Sequence, residues 1–167
     1  MKKYATTLRQ IVNATAPQIE QLDDTNFSLK PSTNKWSKKE ILGHLIDSAY
    51  NNHQRFLRAE SQGDLFFLGY KQEEWVEKNN YQNRPQAEVL QLWKMVNEHL
   101  AAVIDRIPDE VMTKETIQHN FDVIGMTLIE EGTPSSLSYL IWDYVFHLEH
   151  HMKQILPGYE PVLEKDY

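Results

Sequence analysis

The stretch Asp143-Tyr144-Val145-Phe146-His147-Leu148-Glu149-His150-His151-Met152-Lys153-Gln154 decides how this chain is read. His147 and His151 stand at i and i+4, so on a helix they lie one above the other on one face. A wheel at about 100° per residue gathers Leu137, Leu140, Ile141, Tyr144, Leu148 and Ile155 into an apolar arc. His151 falls inside that arc and His147 at its edge, so both point toward an interior. Buried imidazoles need partners for their nitrogens. Two readings are open: core histidines bonded to backbone or carboxylate, or two ligands of one metal ion. His150 projects further round and reads as surface.

Three further segments carry helical spacing. In the first, Leu8, Ile11, Val12, Ala16, Ile19 and Leu22 recur mostly at three- and four-residue steps, and Pro17 is expected to kink or split the helix. The second opens on Ser37-Lys38-Lys39-Glu40, a capping box, with Trp36 and Ile41 placed to form a hydrophobic staple. It runs to about Ser61, where Gly63 stops it. The third opens near Pro85, carries Val89, Leu92, Trp93, Val96, Leu100, Val103 and Ile104 inward, and ends before Pro108. The last is expected to start at Thr133-Pro134 and to stop before Pro157-Gly158.

Between these segments, residues 71–79 fit a short extra helix, and residues 123–129 fit a short strand or an extended loop. Four long helices with little strand signal make the fold class all-α, a four-helix bundle. The connection from the second helix to the third spans roughly twenty residues, which permits a crossover. Another long connection precedes the last helix.

Composition narrows the function. The 167 residues suffice for one domain with a core, and residues 1–167 read as a single domain. There is no cysteine, which excludes disulfides, thiolate ligands and a cysteine nucleophile. It fits a reducing cytoplasm. Any metal site must use histidine, carboxylate and water. A net charge of −7 argues against broad capture of nucleic acid. No apolar run approaches the ~20 residues of a membrane span, and the start, Met1-Lys2-Lys3-Tyr4-Ala5-Thr6-Thr7-Leu8, carries no apolar block of a secretion signal.

His44 is the third candidate. On its helix the apolar arc runs through Ile41, Leu42, Leu45, Ala49 and Phe56, and His44 lies off it with Asp47, Ser48 and Asn51. Periodicity alone reads that face as solvated. The other reading is a wet pocket shared with the last helix. Asp47 is one turn from His44 and Asp143 one turn from His147, so each carboxylate is a candidate to orient an imidazole, or an ordinary charge. Asp47 is also a candidate fourth ligand. Asn51 and Tyr144 join Asp47 and Asp143 as pocket candidates, and Trp75 and Tyr81 are candidates to close over its mouth. His53, His99 and His119 have no companions at useful spacing and read as structural or exposed.

Two stretches carry a resemblance. Trp36-Ser37-Lys38-Lys39-Glu40-Ile41-Leu42-Gly43-His44-Leu45-Ile46-Asp47 resembles the second-helix signature of the DinB/YfiT-like superfamily. These are the bundle proteins named for damage induction, not the polymerase that shares the name. The stretch from Asp143 to Ile155 resembles its last-helix signature. The resemblance implies an up-down-down-up four-helix bundle and a divalent metal, nickel or zinc among others, held by His44, His147 and His151. Three protein ligands leave positions open for water or substrate.

Two chemistries follow from the resemblance, a hydrolase or a thiol S-transferase with a low-molecular-weight thiol cosubstrate. It further implies a homodimer acting on a small-molecule substrate. The competing expectations are a non-catalytic, stress-linked metal or small-ligand binder, and a structural bundle with buried histidines.

Overall fold

The computed structural model describes residues 3–163. Met1 and Lys2, where the reading of the N-terminal segment begins, lie outside the described residues, as do residues 164–167. The long helices are α1 (Lys3–Glu20), α3 (Lys38–Ser61), α5 (Gln86–Ile104) and α8 (Leu137–Ile155). Short helices fill the connections: α2 (Asp24–Ser28), α4 (Gln72–Asn79), a 3-10 turn (Tyr81–Asn83), α6 (Asp109–Thr113) and α7 (Phe121–Ile124). The described residues form no strand, only isolated bridges between Leu65 and His119 and between Thr116 and Ser135. No described helix is long and apolar enough to cross a membrane.

Side-chain contacts fix the direction of each long helix. Arg9 near the start of α1 pairs with Asp105 just past α5 at 2.6 Å, and Gln86 at the start of α5 donates to the Ile19 carbonyl at 2.8 Å. These two helices are therefore antiparallel. Lys39 at the start of α3 donates to the carbonyl of Arg84, just before α5, and His53 meets His99 further along, so α3 and α5 are parallel. His44 meets His147 and Phe56 meets Tyr144, so α3 and α8 are antiparallel. The order is up-down-down-up, with α1 and α3 each packed against both α5 and α8.

The helix starts follow from local chemistry. The Ser37 hydroxyl accepts from the Glu40 amide at 3.1 Å, and the Glu40 carboxylate accepts from the Ser37 amide at 2.9 Å. The capping box is complete, and it launches α3 at Lys38. Leu8, Ile11, Ile19, Leu42, Leu45, Phe56, Trp93, Leu100, Ile141 and Leu148 fill the core between the four helices. Burial of each such side chain stabilises the fold by roughly 1.5–3 kcal/mol.

Three expectations need correction. Pro17 does not split α1, which continues to Glu20. The lost hydrogen bond is the one to the Asn13 carbonyl, one turn back, and the helix runs on through it. The last helix starts at Leu137, not at Thr133-Pro134. Ser135 exchanges backbone hydrogen bonds with Thr116 and is held extended, so Ser136 becomes the cap, its hydroxyl accepting from the Tyr139 amide. Residues 121–124 form the turn of helix α7 where strand or loop was expected from residue 123. The Val123 and Ile124 amides close that turn on the Asn120 carbonyl, a local bond that β-branched character does not reveal.

Candidate metal centre

α3 is buried on its polar face as well as its apolar one. His44, Asp47, Ser48, Asn52 and Arg55 are all buried, with His44 at 0% exposure. The solvated face that periodicity favoured is therefore absent. It is covered by α8 on one side and by residues 79–81 on the other. Gly43 makes that cover possible: a Cβ there would stand 2.1 Å from the Tyr81 ring. With the ring seated on Gly43, the Tyr81 hydroxyl donates to Asp47 Oδ1 at 2.8 Å, and Asn79 donates to the same oxygen at 2.8 Å.

Turned the other way, His44 meets α8. Its Nε2 lies 3.0 Å from Nε2 of His147. One ligand-capable atom from each of His44, His147 and His151 lies within 4.8 Å of the others. His44 packs edge-on against both partners, with ring centroids 5.0 Å away in each case. Trp36 covers the His44 ring at 5.1 Å. His151 Nδ1 bonds Gln154 Oε1 at 2.9 Å; an amide oxygen only accepts, so Nδ1 carries the proton and Nε2 keeps its lone pair.

Burial disfavours the charged imidazolium and sets the protonation state. It pushes His44 down to about 3, with the His151 charge adding to the effect. His147 is held well below the ordinary histidine range by burial and then by its histidine neighbours. Burial also lowers His151, although its bond to Gln154 opposes the shift. Three neutral imidazoles converge on one point, and neutral imidazole is the protonation state that metal ligation requires.

The donor set suits a borderline divalent ion. Imidazole nitrogens bind zinc at about 2.0–2.1 Å, which sets neighbouring ligands about 3–3.5 Å apart. The His44–His147 spacing already has that value. His44 Nδ1 is buried without a hydrogen-bond partner.

A cavity of about 320 Å³ opens beside the cluster. His147 and His151 line it, with Asp143 and Tyr144 on α8, Ser48, Asn52 and Arg55 on α3, and Tyr70 and residues 123–126 from the connections. The two candidate carboxylates are engaged away from the histidines. Asp143 accepts from the Met126 amide at 2.9 Å and the Thr127 amide at 2.7 Å, which fixes the loop forming one cavity wall. Asp47 is held by Tyr81 and Asn79 and does not belong to the cluster of ligand atoms. Asn51 donates to the Asp47 carbonyl and faces a separate groove. Trp75 packs on Tyr70, with ring centroids 5.0 Å apart, and lines that groove too, while Tyr81 is buried under α3. Neither closes the cavity mouth.

Asn52, Arg55 and Tyr70 are polar wall residues that the sequence does not mark out. His150 is exposed, as its place on the wheel implies, and stands at the cavity lining; the other histidines separate into two kinds. His119 is buried and structural, donating to the Thr133 carbonyl at 2.7 Å. His53 and His99 do have companions, each other: their Nε2 atoms meet across α3 and α5 at 3.2 Å.

Comparison with known proteins agrees with this architecture. A Bacillus mycoides protein named a "putative metal-dependent hydrolase" is 25% identical over 75 residues, which are 45% of this chain and 43% of that protein. The match spans less than half of that relative. The structure of YfiT from Bacillus subtilis superposes with a TM-score of 0.72 at 19% identity, covering 92% of this chain and 82% of that one. It is described as a probable metal-dependent hydrolase with an unusual four-helix bundle topology. A mycothiol-dependent maleylpyruvate isomerase superposes with a TM-score of 0.66 at 11% identity, covering 92% of this chain and 59% of the other. The family model of the DinB superfamily matches residues 7–155, and the chain belongs to that superfamily.

Proposed function

We propose that this protein is a metal-dependent enzyme acting on a small molecule, a hydrolase or a thiol S-transferase, with His44, His147 and His151 holding one divalent cation. The observation that carries this reading is the convergence of three neutral imidazoles on one side of a cavity. Nickel and zinc suit an all-imidazole donor set. A cation held by three ligands supplies Lewis-acid activation of a water, a carbonyl oxygen or a thiol.

The chain's own residues do the rest. Gln154 fixes the His151 tautomer. Trp36 packs over the His44 ring and holds it toward α8. Asp143 anchors the loop that walls the cavity. The names of the relatives support hydrolysis in two cases and thiol dependence in one. A homodimer working in the cytoplasm, without nucleic acid, belongs to the same reading.

The test is a turnover screen with tag-free protein loaded with nickel or zinc, using simple esters, amides and low-molecular-weight thiols. Metal-dependent turnover lost in His147→Ala supports the reading. Turnover that survives loss of the metal contradicts it. Tight metal uptake with no turnover on any probe favours the non-catalytic binder instead.

A further inference from the structure

We propose that Arg55 receives a carboxylate in the cavity beside the histidine cluster, so that the natural substrate is a small carboxylate-bearing molecule. This deepens the reading above, because it names the substrate class of the same cavity. Its basis lies in a different residue.

Arg55 is only 8% exposed and lines the 320 Å³ cavity that His147 and His151 also line. A guanidinium has five N–H donors. Nη1 donates to Asn52 Oδ1 at 3.4 Å and Nη2 donates to the Leu68 carbonyl at 3.1 Å. Nε is buried with no partner. Both partners are neutral, and among the described residues no carboxylate pairs with Arg55. The one carboxylate lining the cavity is Asp143, and its two oxygens are held by the Met126 and Thr127 amides. It influences Arg55 through space without forming an ion pair.

A buried cation without a paired anion is costly. Proteins retain one where a ligand supplies the missing charge. Two of the five N–H donors go to these neutral acceptors, and the guanidinium is the planar fork that suits a carboxylate's two parallel hydrogen bonds. The cavity size suits a small molecule. Arg55 lies at the level of Asp143 and Tyr144, since the neighbouring Phe56 ring meets Tyr144 across the two helices. His147 is one turn further along α8, about 5–6 Å. A ligand anchored at Arg55 therefore places a bond a few atoms from its carboxylate beside the imidazoles.

The experiment uses the full chain, with and without zinc. The Arg55 Nε–H resonance is followed during titration with propionate, glutarate and propionamide, the last a neutral analogue. Calorimetry of the same titrations is run on Arg55→Gln and Arg55→Lys. The carboxylates are expected to shift the resonance saturably and the amide to leave it in place. Arg55→Gln is expected to weaken carboxylate binding roughly tenfold or more. Arg55→Lys, which keeps the charge without the fork, falls between and covers the case in which the glutamine variant does not fold.

An equal response to amide and acid overturns the proposal. So does no response to either carboxylate, or wild-type binding in a folded Arg55→Gln. Metal content is counted on the same samples. Carboxylate binding that persists in protein unable to hold metal removes the metal reading and leaves this one standing.

Discussion

His44 Nε2 lies 3.0 Å from His147 Nε2, although the two residues are 103 positions apart in the chain. Both rings are held neutral by burial. Two such nitrogens in contact require a proton or a cation between them. A cation that binds the folded chain alone stabilises it by mass action, by about 2.7 kcal/mol at a hundredfold excess over Kd. For a chain of this size that is a rise in Tm of roughly 5–10 °C. Differential scanning fluorimetry of tag-free protein should show this rise with zinc or nickel, its reversal by chelator, and its absence in His147→Ala. An unchanged Tm in wild type would count against the site.

The metal-free protein should have a pH signature. His44 is held at about 3 against its ordinary 6.5, so below pH 6.5 the unfolded chain takes up a proton that the folded chain refuses. Stability is full above 6.5 and falls as pH drops toward 3. Asp47 acts in the opposite sense. Burial raises it to about 6 from 3.8, so its contribution is present below 3.8 and lost as pH rises through about 6. Each group contributes a slope of up to about 1.4 kcal/mol per pH unit. Urea unfolding from pH 4 to 7 in chelator should show a shallower acid limb in His44→Gln and a steeper one in Asp47→Asn. Identical limbs in all three proteins would contradict this assignment.

Gly43→Ala should destabilise the fold. In an open helix the change would gain about 1 kcal/mol. Here the new methyl would stand 2.1 Å from the Tyr81 ring, which is buried and tied through its hydroxyl to Asp47. Displacing it should outweigh the helical gain and leave a net loss of about 1–3 kcal/mol. Chemical denaturation measures the sign. A stabilised variant would show that the ring yields freely.

The parts of this fold legible in the sequence are those decided locally. The capping box at Ser37–Glu40 and the spacing of His147 and His151 need only neighbours along one helix. The orientation of His44 does not. A helical wheel sets one face against bulk solvent, but α3 is covered on its polar face by α8 and by the Tyr81 ring. The resemblance to a family gave the expectation for His44 that periodicity withheld. Arg55 was illegible for a related reason: arginine is mostly a surface residue, and its burial depends on the Leu68 carbonyl arriving from a connection. Trp75 and Tyr81 drew attention as aromatics in a long connection, yet Tyr70 is the aromatic of that connection that lines the cavity.

Ser37→Ala should cost about 1–2 kcal/mol. The hydroxyl caps α3 through the Glu40 amide and donates to Gln82 Oε1 at 2.6 Å, so its loss also frees the strap that carries Tyr81. Thermal unfolding checks the magnitude. A loss near zero would mean that Glu40 alone holds the start of the helix.

The most direct measurement is anomalous diffraction, at the absorption edges of zinc and nickel, from crystals of protein purified without an affinity tag. A single peak about 2.0–2.1 Å from one nitrogen of each of His44, His147 and His151 is the expected result. Metal-soaked crystals with no peak among these three rings, or with the His44 ring turned away from the other two, would contradict it.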